Sequence, residues 1–209
     1  MSTLLRTLYG YHAWANAELI GKLALVDPVA RAEALKTALR LVNHYHVVAR
    51  IFAAHLTGGA HPYASDNTVE TPALADLGAS LAAIDRWYLD YIGEALPETL
   101  GEPVSFAFTD GDRGCMTREE MLLHVAVHAT IHRGEACRIL AQLGITPPWD
   151  TLAVYLHQTE PGRRELGRGR GASRASPTKL GEVARRSRDG GGVAQRARQR
   201  RKGGASSRE

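Results

Sequence analysis

From Thr117 to Leu143 the chain reads as one long helix with a signal at each end. Thr117 followed three residues later by Glu120 completes a capping box. Gly144, with Pro147 and Pro148 just beyond it, stops the helix. Along this run His124, His128 and His132 recur every fourth residue.

Three further segments carry helical periodicity. The first sets Leu5, Leu8, His12, Ala15, Leu19 and Leu23 on one stripe and ends before Asp27-Pro28. The second, from Val29 to Leu56, is apolar over a wide arc that includes Leu39, Val42, Ala49 and Ala53. The third is expected to open at Thr71-Pro72, an N-cap followed by proline at the first helical position, and continues through Leu77, Leu81, Ile84 and Tyr88. Between it and the fourth helix, PVSFAFTDGDRGCM alternates Val104, Phe106 and Phe108 before Asp110-Gly111, the pattern of a small hairpin. A short last helix from Asp150 is expected to fold back on the others. The fold class is therefore all-α, a four-helix bundle with a small hairpin between helices 3 and 4, a scaffold that builds metal sites from facing helices.

The composition divides at about residue 160. From 160 to 209 there are 15 Lys and Arg against 5 Asp and Glu, which leaves 11 against 17 in 1–159. The sequence pI of 9.3 belongs to this tail, so whole-chain charge is no argument for nucleic acid. The tail has no aromatic residue, and its only large aliphatics are Leu166, Leu180, Val183 and Val193. So few apolar groups do not offset an ordering entropy of roughly 1–2 kcal/mol per residue, and the tail is expected to be disordered. Two domains follow: a bundle over 1–159 and an Arg/Gly-rich tail over 160–209. The tail is either a plain solvated extension or an arm that meets phosphate backbones nonspecifically.

No window approaches the roughly 18 apolar residues of a membrane span, and the first residues lack the core and cleavage site of a secretory signal. With only Cys115 and Cys137, a disulfide framework is out of reach, and the expected compartment is a reducing cytoplasm. Cys115 falls in a Gly-flanked turn and Cys137 lies opposite the histidine row. Neither has the surroundings of an activated nucleophile. HExxH, GxSxG, Walker and GxGxxG signatures are all absent.

The histidines carry the chemistry. Neighbours four apart on a helix converge on one face, whereas His124 and His132 lie about 12 Å apart along the axis. One ion therefore takes two of the three, plus a ligand from another helix. The second helix offers His44 and His46, both at edges of its apolar arc, and periodicity leaves the choice between them open. His55 lies further along that helix. His12 and His61 are weaker candidates, read as helix-edge and loop histidines, and His157 as a surface one. Glu135 lies close to the same row, available as a ligand, a base or a proton shuttle. The plain alternative is that the row consists of core histidines only.

The chain resembles the DinB/YfiT-like proteins over residues 4–158. The resemblance is carried by YHAWAN, LVNHYHVVARIFAAHL, DRWYLDY, HVAVHATIHRGEACRILAQLG and PPWDTLAVYLH. It departs from the usual pattern at Ala49, Ala129, Ile131 and Glu135. It implies a four-helix bundle that binds one divalent metal through His44, His128 and His132, with zinc or nickel the metals such imidazoles suit. Some relatives are S-transferases or isomerases that use low-molecular-weight thiols; others, damage-induced, have no established activity. Three readings follow: a metal-dependent thiol transferase acting on small electrophiles with Glu135 relaying protons, a non-catalytic metal-binding stress protein, and nucleic-acid association through the tail. In the first, the loop from Thr57 to Glu70 contacts the electrophile. A homodimer through an exposed helix face is also expected.

Overall fold

The computed structural model describes residues 3–163. The tail expected to be disordered, its basic arm and nearly all of the expected second domain from 160 fall outside these residues. The elements are α1 (Thr3–Leu23), α2 (Ala32–Thr57), α3 (Leu74–Glu94), α4 (Pro97–Leu100), β1 (Pro103–Ala107), β2 (Arg113–Thr117), α5 (Arg118–Gln142) and α6 (Leu152–Thr159). The long helices α1, α2, α3 and α5 form a four-helix bundle in which α5 packs on α1 and α2, and α3 packs on the same two. Consecutive helices α1 and α2 thus sit on a diagonal, and α2 faces α5 along its length. Among the described residues no helix is long and apolar enough to cross a membrane.

The core explains the packing order. Leu19, Leu23, Leu77, Leu81, Ile92, Met121, Leu122 and Leu140 are fully buried, together with Tyr9, Tyr45 and Tyr88. Buried phenols need partners. Tyr9 donates to the Leu122 carbonyl at 2.9 Å and Tyr88 to the Ala49 carbonyl at 2.7 Å, so each ties two helices together. Burial raises the pKa of both phenols, which stay neutral donors.

The helices differ from expectation in four places. The last starts at Leu152, with Thr151 as its N-cap, rather than at Asp150. The second helix starts at Ala32 rather than Val29, because Asp27 Oδ1 accepts from the backbone N–H of Val29 and Ala30 and closes a turn there. The third starts at Leu74, with Ala73 extended and no side-chain cap, so Thr71 is not its N-cap. Proline disfavours helical geometry in the residue before it, which keeps Thr71 in the incoming loop. The one-turn α4, opened by Pro97, went unforeseen.

The capping box of α5 is present, with Thr117 accepting from Glu120 N–H and Glu120 from Thr117 N–H. Leu143 caps the far end and Gly144 follows at φ +78°. The hairpin pairs Phe106 with Gly114 and Ala107 with Arg113, which leaves a five-residue loop with Gly111 at φ +95°. Cys115 sits on β2, not in a turn, and is exposed.

Candidate metal centre

The facing sides of α2 and α5 bring His44, His128 and His132 together. One nitrogen from each lies within 4.8 Å of the others. His44 Nε2 and His132 Nε2 are each 3.1 Å from His128 Nε2. The outer nitrogens fix the tautomers. His44 Nδ1 donates to the Asp66 carbonyl at 2.9 Å, and His132 Nδ1 donates to Glu135 Oε2 at 2.8 Å. In that tautomer each Nε2 presents its lone pair toward His128 Nε2. Only a proton or a cation reconciles lone pairs brought this close.

Burial and the neighbouring imidazoles of His132 and His44 push the pKa of His128 down to about 4, so near neutral pH its ring is uncharged and able to ligate. Three imidazoles, two of them braced from behind, make a donor set that fits a divalent ion.

The braces come from different elements. Glu135 is on α5, one turn beyond His132. Asp66 belongs to the long loop between α2 and α3, which α2 holds down: Asn43, buried, donates to Asn67 Oδ1 and to Thr68 Oγ1, and Arg40 donates to the Thr68 carbonyl. The NH pair in the sequence thus places one residue under the loop and the next in the cluster.

The remaining histidines stand apart from this cluster. His46 is buried and shares a 2.9 Å hydrogen bond with Ser80 on α3, on the opposite side of α2. His124 stacks on His128 at a centroid distance of 5.4 Å and meets Phe52 at a tilt at 4.8 Å. His55 and His61 meet edge to face at 5.4 Å. His157 is exposed, on the last turn of α6. His12 corrects the helix-edge reading. It is buried, its Nε2 3.3 Å from Asp85 Oδ1 and its Nδ1 3.3 Å from Arg133.

A cavity of about 340 Å³ adjoins the cluster, lined by His44 and His128 but not by His132. Phe52, Phe106 and Phe108 form its apolar wall, and among the described residues Asp66 and Asp110 are its only formally charged ones. Sequence reasoning missed this wall as part of a site. The alternation of Phe106 and Phe108 was visible, but nothing local to the hairpin says which helix it leans on. Asp66 falls in the loop from Thr57 to Glu70 expected to face the site, but nothing singled it out within that loop, since its backbone carbonyl, not its side-chain type, meets His44.

The DinB family model matches residues 1–165. No curated protein and no solved structure matches the chain.

Proposed function

The chain belongs to the DinB family, and from that premise we propose that it is a metal-dependent transferase that joins a low-molecular-weight thiol to a small electrophile. The observation that carries this reading is the convergence of three imidazole nitrogens beside a cavity large enough for a small molecule. His44, His128 and His132 would hold the ion, zinc or nickel by the softness of the ligand set. When bound, such an ion lowers the pKa of a thiol at its open position and supplies a thiolate near neutral pH.

The chain's own residues do the rest. The Asp66 carbonyl and the Glu135 carboxylate keep His44 and His132 in the tautomer that presents Nε2 inward. Glu135, with its side chain about half exposed, is also the acceptor through which the proton released by the thiol passes to solvent. The phenylalanine wall excludes water from the face of the cavity where the electrophile would lie.

The test has two stages. Elemental analysis of the purified full-length protein is expected to find one zinc or nickel per chain. Incubation of that protein with a panel of low-molecular-weight thiols and a chromogenic electrophile is then expected to give thioether faster than the thiol alone. Stoichiometric metal without turnover under any thiol would leave the ion as a staple between α2 and α5, and the catalytic reading would fall.

A further inference from the structure

The cavity beside the histidine cluster has a composition that sorts ligands by shape and charge. Phe106 lies 5.6 Å from Phe52 and 4.9 Å from Phe108, centroid to centroid. Phe52 and Phe106 are buried, whereas Phe108 on the hairpin loop is 48% exposed. An aromatic ring half open on a loop, facing a cavity, is a surface with unused stacking capacity.

The polar groups are unequal. Asp66 and Asp110 are exposed carboxylates, and no Lys or Arg lines the cavity. Deeper in, His124 is held by stacking on His128 and by a tilted contact with Phe52, and among the described residues neither of its nitrogens has a hydrogen-bond partner. Its ring is placed by packing while its N–H remains available, which distinguishes it from His12, both of whose nitrogens are engaged, and from His46, whose Nε2 is held by Ser80.

We propose that this cavity is the electrophile's site and that it selects flat, uncharged, conjugated carbonyl compounds, stacked on Phe108 with an edge toward Phe106 and with the carbonyl oxygen accepting a hydrogen bond from His124. This rests on reading the histidine cluster as a thiol-activating centre. The reaction then is an addition. The sulfur forms a bond to the β-carbon, the C=C π bond breaks, and its electron pair moves to the carbonyl oxygen beside His124. The thiol's proton leaves through Glu135 to solvent and a proton from solvent is added at the α-carbon, so nothing is oxidised or reduced and no group leaves. Anionic electrophiles are disfavoured, because they would enter past two carboxylates and find no cationic side chain.

Unreactive probes test this without turnover. The metal-loaded, full-length protein is titrated with acetophenone (flat and neutral), cyclohexyl methyl ketone (neutral but not flat) and benzenesulfonate (flat and anionic, a weak metal ligand). Acetophenone is expected to bind about 3- to 10-fold tighter than the cyclohexyl ketone, from stacking. It is expected to bind at least about tenfold tighter than benzenesulfonate, from like-charge repulsion. His124→Phe keeps a ring against Phe52 and removes the donor, so acetophenone should weaken by about 2- to 12-fold, with partial rescue in His124→Gln. Phe108→Ala alters an exposed side chain, leaves the fold intact, and should weaken acetophenone by about 3- to 10-fold. Equal affinity for the three probes, or unchanged acetophenone affinity in both Phe108→Ala and His124→Phe, would overturn the proposal. Because no thiol is present, a protein that discriminates the probes but transfers nothing refutes the transferase reading alone. One that transfers but binds the probes indifferently refutes this inference alone.

Discussion

Arg133, completely buried, meets the Asp150 carboxylate with its Nε 2.7 Å from Oδ2. Arg133 follows the candidate ligand His132 and points to the other side of α5, toward α1. There it also approaches Asn16 Oδ1 and His12 Nδ1 at 3.3 Å, and Thr130 Oγ1 at 3.1 Å. Tyr11 on α1 donates to the same Asp150 carboxylate. Burial alone would lower the pKa of Arg133, but the hydrogen bond and charge of Asp150 outweigh it and raise the value. A cation thus locks the rotation of α5 about its axis, and with it the direction in which His128 and His132 face.

Removing one partner of such a pair leaves an uncompensated buried charge. Asp150→Ala should therefore lower unfolding stability by about 3–5 kcal/mol in urea titrations, with Asp150→Asn falling between it and wild type. An unchanged midpoint in Asp150→Ala would mean that Asn16 and Thr130 suffice for the guanidinium.

Gly114 stands opposite Phe106 in the hairpin, and a Cβ built on it would lie 2.6 Å from the Phe106 ring. The ring needs a residue without a side chain beneath it in order to lie across the strands. Gly114→Ala should cost about 1–3 kcal/mol by overpacking, read as a lower melting temperature. Combining it with Phe106→Leu should cost less than the sum of the two single changes. Strict additivity would show that the ring moves aside freely.

The helices were legible because local chemistry sets them. The capping box at Thr117, the stop at Gly144 and the apolar stripes act within a few residues. The boundaries at Val29 and Thr71 were misread because side chain-to-backbone turns and loop geometry compete with helix signals at the same residue types. For the cluster, spacing alone narrows the α5 ligands to adjacent pairs, and resemblance selected His44 over His46. Their separation becomes physical only when α3 brings Ser80 to His46 and the loop brings Asp66 to His44. Asp85, Asn16 and His12 were harder to place, since three polar residues on apolar stripes look like interruptions until α1 and α3 pack together.

His46 gives a pH dependence. Burial first, and the nearby Arg50 charge second, push its pKa down to about 4, against 6.5 unfolded. Between these values the unfolded chain binds a proton that the folded one does not, so stability rises with pH. The contribution is fully present above pH 6.5 and is lost as pH falls toward 4, by on the order of 3 kcal/mol in all. In urea titrations at pH 4.5, 5.5 and 7, the difference in stability between wild type and His46→Gln should change by that order. Parallel curves for the two proteins would show that His46 takes up its proton in the fold as readily as in the unfolded chain.

The cluster itself sets the final expectation. Two imidazoles from α5 and one from α2 surround a common point, and each occupies a position that no other described histidine fills. Replacing His44, His128 or His132 by Ala should abolish stoichiometric metal in the purified protein, since two imidazoles in water hold a divalent ion far less tightly than three. His46→Ala and His124→Ala should retain it, because His46 faces Ser80 and His124 only stacks on His128. Glu135→Ala removes the carboxylate that orients His132 and should weaken affinity by about 10- to 100-fold without emptying a saturated site. Acidification should release the ion as protons compete for the ligating nitrogens. The measurement is metal content by elemental analysis, with affinity from competition against a chromogenic chelator. Loss of metal in His46→Ala with retention in His44→Ala would move the ligand by two residues along α2. Wild-type protein that stays empty after loading with zinc or nickel would reduce the row to packed core histidines.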